Sequence, residues 1–272
     1  MNRILLFIPM YNCEKQITKT LGQIDEEVSR YIAEVIVVDN QSPDNGVGTV
    51  KNFLRTEYRY GTDCPIRLLR NKDNYSLGGS HKVAFEYAIN HGFDHVIVLH
   101  GDNQGDIHDI IPYLKNKRIL QLDSFLGSRF EKDSRLINYS KFRIFGNHCF
   151  NILLCGLLRR HISDLGSGLN MYKVDYLKNR FYMNFANNLT FNVYMLIYGI
   201  YSDSDFRFFP LTWREEDQVS NAKIVKQSIE ILRLVFGYLF HASKIFDSVA
   251  NEYARIRYEY DELANTVGDM EE

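Results

Sequence analysis

Four short apolar runs, spaced by stretches long enough to be helices, constrain this chain most. Residues 4–8, 35–38, 66–69 and 95–99 read as strands, and 14–30, a segment ending at Arg55, and 78–90 read as helices. Unbroken apolar runs such as Val96-Ile97-Val98-Leu99 suit strands covered on both faces of a parallel sheet. The βαβαβαβ order therefore predicts an α/β fold, a mostly parallel, doubly wound sheet flanked by helices with right-handed crossovers. In such sheets ligands bind beyond the carboxyl ends of the strands. The polar residues just past each strand are thus the candidate site residues.

After Ile110 the pattern loosens. Residues 122–127 read as a strand, 131–139 as a polar connection, and 142–160 as a helix with an apolar core and basic residues at both ends. A strand at 169–174, a helix at 189–198 and a strand at 205–209 follow, Pro9 is expected to stop the first strand, and 222–266 reads as two helices before a frayed tail at 268–272. Neither a repeat nor a low-complexity linker divides the chain. Residues 1–225 are expected to form the main domain, with 226–272 a helical extension that packs on it or contacts membrane or another subunit.

Composition excludes several classes. With 32 Lys and Arg against 34 Asp and Glu, the net charge of −2 carries no nucleic-acid signature. Cys13, Cys64, Cys149 and Cys155 are scattered without zinc-ligand spacing, which fits a reduced, cytoplasmic setting. The first apolar run is short and closed by Pro9, unlike a signal peptide. No stretch approaches the ~20 apolar residues that span a bilayer.

The fourth strand runs into His100-Gly101-Asp102-Asn103-Gln104. Imidazole, carboxylate and amide oxygen at alternate positions can reach Mg²⁺ or Mn²⁺, which would hold a diphosphate; a polar loop capping a helix near Asp106 is the alternative. Past the first strand, Tyr11 offers a flat face to a nucleobase and Asn12 a helix cap. Asp39 ends the second strand, where a carboxylate can accept from base N–H or ribose hydroxyls, or simply shape the turn through Ser42, Pro43 and Asp44. Asn74 leads to Gly78-Gly79 at a helix start, where backbone N–H groups can approach a phosphate or sugar. The P-loop pattern is absent.

In this order the segments resemble a family-2 glycosyltransferase of GT-A fold. Pro9-x-Tyr11-Asn12-x-Glu14 comes first, followed by Asp39 with Ser42 and Asp44, then Asn74 and the glycines. His100-Gly101-Asp102-Asn103-Gln104 is similar to the Asp-x-Asp-x-Gln of the dolichol- and polyprenyl-phosphate branch. Gly127-Ser128-Arg129-Phe130, Asp164-Leu165-Gly166-Ser167-Gly168-Leu169 and the stretch from Trp213 to Lys223 resemble its later motifs. The resemblance implies that Pro9, Tyr11, Asn12, Glu14 and Asp39 hold the nucleoside, with Ser42, Asn74, Gly78, Gly101, Asp102, Ser167 and Gly168 completing the nucleotide-sugar site. Asp102 and Gln104, with His100, would hold the metal, and Arg129, Arg214 and Lys223 would neutralise phosphates. Two departures stand out: His100 replaces the first Asp, and Asn170 replaces an Arg common after Ser-Gly-aromatic.

Breaking an anomeric C–O bond leaves an oxocarbenium-like centre and a diphosphate, so a divalent metal and fixed cations lower the barrier. A hydroxyl acceptor also needs a general base. Residues 181–201, where many relatives carry that base, contain neither Asp nor Glu, and Asp164 is the nearest upstream candidate. A lipid phosphate is already an anion and needs no base. These readings predict an inverting, metal-dependent transferase that moves sugar from a nucleotide-diphosphate donor to a polyprenyl phosphate in surface-glycan biosynthesis. The alternatives are transfer to a glycan hydroxyl, or a catalytically silent nucleotide-sugar-binding subunit. The basic-ended helix 142–160 can rest on a membrane, placing the protein in the cytoplasm or peripherally on the inner face of the membrane. A homo-oligomer is a further expectation.

Overall fold

A computed structural model of the chain describes residues 2–58, 64–215, 224–246 and 256–266. Its main sheet has eight strands in the order β10-β3-β2-β1-β4-β7-β5-β8. These are β1 (Ile4–Met10), β2 (Glu34–Asp39), β3 (Ile66–Asn71), β4 (His95–Leu99), β5 (Ser124–Ser128), β7 (Leu169–Lys173), β8 (Phe206–Pro210) and β10 (Tyr260–Asn265). The β3–β2, β2–β1, β1–β4 and β5–β8 pairs are parallel. The β10–β3, β4–β7 and β5–β7 pairs are antiparallel. A small parallel pair joins β6 (Arg135–Ile137) to β9 (Thr212–Arg214).

Period-2 alternation sends successive residues of the central strands into two cores. Leu5, Phe7, Val96 and Val98 pack with Phe85 of α4 (Ser76–Asn90), Leu154 of α6 (Lys141–Leu158), Leu196 of α8 (Phe191–Tyr201) and Val235 of α9 (Ile224–Phe246). Leu6, Ile8, Ile97 and Leu99 face the other way, onto Ile17 of α1 (Glu14–Leu21) and Val50 of α3 (Gly46–Thr56). The central strands are buried on both faces, as their unbroken apolar runs require.

Several elements depart from the sequence expectation. The expected helix over 14–30 is two: α1 ends at Gly22, and a new turn, α2 (Glu26–Ser29), begins where Asp25 accepts from Val28 N at 3.0 Å. Pro9 does not stop β1, because the β4 ladder ends at Phe7 and Pro9 needs no N–H beyond it. The polar connection over 131–139 contains β6. Among the described residues of the C-terminal stretch, α9, kinked at His241, is helical and Tyr260–Asn265 is an edge strand against β3. Its Glu, Leu and Ala favour a helix, but pairing an otherwise open sheet edge overrides so weak a preference. The tail at 268–272 lies outside the described residues.

Gly78 fixes how closely α4 approaches the segment before α8. An added Cβ would lie 2.7 Å from Ala186 O and 2.8 Å from Phe191 Cβ. Gly78→Ala is therefore expected to destabilise the protein by about 1–3 kcal/mol, the usual cost of overpacking, measured as a lower urea midpoint with unchanged slope.

Candidate active site

Past the carboxyl ends of β1, β2 and β4 lies an open cleft of about 380 Å³. Pro9 and Tyr11 form one side, Gly101 and Asp102 the floor, and Asn188 and Leu189 line it as well. Two backbone hydrogen bonds set the floor: Gly101 N donates to Pro9 O at 3.1 Å and His100 N to Gly168 O at 3.0 Å. The run past β4 is thereby spread across both neighbouring strands. Asp102 lines the cleft while its Oδ1 accepts from Gln104 N at 3.2 Å.

His100 also lines the cleft. Gly168 makes room for it, since a Cβ there would sit 3.0 Å from the imidazole Cγ. The Nε2 of His100 is buried without a hydrogen-bond partner, and burial holds its pKa below the ordinary histidine value despite the nearby Asp102 charge. A neutral imidazole with an unused nitrogen is the ligand form of histidine. An orphaned Nε2 beside one carboxylate fits a cation that a diphosphate would ligate for the most part. Gln104 is not among the cleft residues; its carbonyl accepts from Arg214 N at 2.9 Å. Among the described residues no group of three His, Cys, Asp or Glu side chains could hold a metal unaided.

The other sequence candidates divide clearly. Asn74 lines the cleft, its Oδ1 accepting from Asn40 Nδ2 at 2.8 Å and Ser76 N at 3.0 Å. Asn12, with φ of 53°, donates its N–H to Ser42 Oγ, while Ser42 N donates to Asp39 Oδ1 at 3.1 Å. Asp39 is fully buried; Arg70 Nε comes within 3.2 Å of its Oδ2 but off the N–H axis, leaving that oxygen without a hydrogen bond. Glu14 turns away to accept from Asn45 N at 3.1 Å. Ser167 closes a tight turn by donating to Leu169 O at 3.0 Å. Of these, Asn12, Glu14, Asp39, Ser42, Gly78, Ser167 and Gly168 stand outside the cleft lining and shape or support its walls.

Two of the three expected phosphate cations, Arg129 and Arg214, are already engaged. Arg129 holds Asp164 through Nε at 2.8 Å and Nη2 at 2.7 Å, with its guanidinium near the faces of Phe130, Tyr139 and Trp213. Burial alone would raise the Asp164 pKa, but Arg129 and two backbone N–H donors overcome it and hold the carboxyl below the ordinary aspartate range. Arg214 pairs with Asp106 at 2.9 Å, and Asp106 also accepts from His108, which bridges to Asp25. Lys223 lies outside the described residues.

Sequence reasoning missed Met10, Cys13, Asn40, Ser76, Leu77, Ser80, Asn188 and Leu189 as cleft residues. Asn40 had a visible signal, because it follows Asp39 at the same strand end. Its buried amide also receives Asn71 Nδ2 at 2.9 Å and Tyr75 N at 2.9 Å, joining the ends of β2 and β3 to the start of α4. Asn188 and Leu189 come to the cleft only through tertiary packing.

This fold, with its cleft at the strand ends, is a GT-A glycosyltransferase architecture, and the protein is a glycosyltransferase. Residues 6–181 match the model described as Glycosyl transferase family 2, and the chain belongs to that family. Undecaprenyl-phosphate mannosyltransferase of Micrococcus luteus is 24% identical over 176 residues, 65% of this chain and 68% of that protein. Glucosyl-3-phosphoglycerate synthase of Mycobacterium tuberculosis, in complex with Mn²⁺, UDP and glucosyl-3-phosphoglycerate, shares the fold with a TM-score of 0.58 at 12% identity, covering 88% of this chain and 80% of that one. S. aureus TarS 1–349 with UDP-GlcNAc gives a TM-score of 0.54 at 16% identity, covering 86% of this chain and 65% of that one.

Asp164→Asn leaves the buried Arg129 uncompensated and is expected to cost about 3–5 kcal/mol. The folded pKa of Asp164 is depressed, so its stabilisation is present above the unfolded carboxylate range and lost as pH falls through the folded value. The gap in melting temperature between wild type and variant should therefore be constant from pH 8 to about 5 and narrow below about pH 4.

Proposed function

We propose that this protein is an inverting, divalent-metal-dependent glycosyltransferase that moves a sugar from a nucleoside-diphosphate donor to a polyprenyl-phosphate-type lipid. The observation that carries the acceptor assignment is the capture of Asp164 by Arg129. The carboxylate best placed by sequence to act as a base is ion-paired, with its proton affinity lowered. Among the described residues, Asp102 is the one carboxylate lining the cleft, and it belongs to the candidate metal position. A phosphate acceptor needs no deprotonation. The Micrococcus luteus relative, an undecaprenyl-phosphate mannosyltransferase by name, supports the same acceptor class.

Asp102 and His100 would hold a Mg²⁺ or Mn²⁺ ion, which when bound neutralises the charge that develops on the diphosphate leaving group. The chain's own residues do the positioning. Tyr11, 45% exposed at the mouth, offers its ring to the base, and the buried Oδ2 of Asp39, which lacks a hydrogen bond, would have to be uncovered by a shift of Arg70 before it could accept from a base or ribose. Asn74, held by Asn40, faces the donor from the start of α4. The lipid surface is assigned to α6. Its inward stripe is Asn151, Leu154 and Leu158, whereas Phe142 is 83%, Phe145 68% and Ile152 72% exposed. Lys141 and Arg159 are exposed at its two ends, whereas Arg143 pairs with Glu215. Among the described residues no helix is long and apolar enough to cross a membrane; the exposed apolar face of α6 supports the proposed peripheral attachment, on the inner face of the cytoplasmic membrane. The main domain over 1–225 would carry the chemistry, and 226–272 would brace it or meet a second subunit.

The metal assignment has a direct check. Asp102→Asn should abolish turnover and the Mn²⁺-dependent thermal shift by UDP, GDP or CDP, whereas His100→Asp should keep activity or alter metal preference. Full activity with unchanged Mn²⁺ dependence in Asp102→Asn would remove Asp102 from the site.

The acceptor is tested by offering a short polyprenyl phosphate and soluble saccharides side by side. Transfer to the lipid phosphate, with co-sedimentation on anionic liposomes that weakens in Phe142→Ser/Phe145→Ser, is the expected outcome. Each aromatic withdrawn from the interface should cost about 1.5–3 kcal/mol of burial at most. Efficient transfer to a saccharide, with none to lipid phosphate, would shift the assignment to a hydroxyl acceptor.

A further inference from the structure

Lys82 is fully buried on α4, where an ammonium is costly to place. Burial pushes its pKa down to about 7. Its Nζ lies within hydrogen-bonding distance of four oxygens that share its three N–H groups: Phe185 O at 2.6 Å, Asn187 Oδ1 at 2.8 Å, Met183 O at 3.1 Å and Tyr258 OH at 3.1 Å. The Tyr258 hydroxyl in turn donates to Asn187 Oδ1 at 2.9 Å. On the backbone of the same residue, Gly78 N donates to Asn187 O at 2.6 Å. The next two residues, Asn188 and Leu189, line the cleft.

Three distant parts of the chain therefore meet at one nitrogen: the helix that begins at the donor side, the 183–187 segment, and the residues leading into β10. Tyr258 is itself fixed, its ring packing on Tyr75 at 5.3 Å while Glu259 N donates to the Tyr75 hydroxyl. An apolar side chain of similar length would be easier to bury than a lysine. What the lysine adds is direction, since it collects carbonyls at the end of the short 3-10 turn Phe181–Asn184 and fixes where the next residues point.

We infer that Lys82 and Tyr258 are positioning residues that anchor the Asn188–Leu189 wall of the cleft and so set acceptor placement. The functional half of this inference rests on the glycosyltransferase reading of the cleft; the anchoring half does not. Neither residue lines the cleft, and both act through Asn187. The donor side, built from Pro9, Tyr11 and the Asn40–Asn74 pair, is held by hydrogen bonds of its own and meets Tyr258 through the Tyr75 ring.

The test uses the full chain with Lys82→Met and Tyr258→Phe, the second removing a single hydroxyl and sparing the fold should the first not survive. Amide hydrogen exchange on the free protein should accelerate at 185–191 by at least about fivefold in Lys82→Met and measurably in Tyr258→Phe, with β1 unchanged, because local opening follows the loss of local restraints. In the same variants the affinity for whichever of UDP, GDP or CDP binds wild type with Mn²⁺ should stay within about twofold, while KM for the short polyprenyl phosphate rises. Unchanged exchange at 185–191 in Tyr258→Phe and in any folded Lys82→Met would overturn the anchoring role. Nucleotide affinity falling in step with acceptor KM would overturn the acceptor-side assignment. Exchange is read without ligand, so it decides the anchoring even if wild type binds no nucleotide, which would be a failure of the donor reading instead.

Discussion

The site depends on the way the backbone leaves β4. Inside the sheet β4 lies between β1 and β7, and the two residues just past it keep one bond to each side, Gly101 to Pro9 and His100 to Gly168. Because the neighbouring strands are buried and rigid, the segment that carries His100 and Asp102 has little freedom to shift. Chemistry that depends on charge placed within a fraction of an ångström benefits from such a base. The glycines on either side of this loop serve the same end by letting chain and imidazole approach closely.

Around that floor, support comes mainly from pairs that do not themselves face the cleft. Arg129 with Asp164 holds the turn before β7, Arg214 with Asp106 ties β9 to the loop after β4, and the Asn40–Asn71–Asn74 amides lace two strand ends to α4. Three of the four residues assigned by family likeness to phosphate or base chemistry, Arg129, Asp164 and Arg214, thus have structural partners. The pattern is economical in a physical sense: charges that brace one another need no ligand to be satisfied, so the cleft is shaped before any ligand arrives.

How much of this was legible in the sequence varied with the range of the interaction. β4 matched its expected bounds, and β1, β2 and β3 were found with ends extended by one or two residues, because unbroken apolar runs between turn residues are local signals. The floor of the cleft was legible too, since His100, Gly101 and Asp102 follow a strand directly. The ion pairs were not: Arg129 and Asp164 are 35 positions apart, and either could have faced a ligand. Asn188 and Leu189 reach the cleft only because Gly78 lets α4 close on their segment. The strand at 260–265 was misread as helix because its composition is helical and its partner, β3, is remote. The family likeness supplied order and chemistry, but it could not tell which matching residues point inward.

That last strand has a consequence for how the protein is made. Lys72, next to β3, meets Asp261, next to Tyr260 in β10, across 189 positions of chain. During synthesis β3 emerges with one side unpaired, and the segment that covers it follows only after those 189 positions. Contacts of such long sequence separation form slowly, and an uncovered strand edge is an invitation to wrong partners. The nascent sheet is therefore exposed on that flank until β10 is made, and a ribosome that stalls after α9 would display this edge of β3 still open.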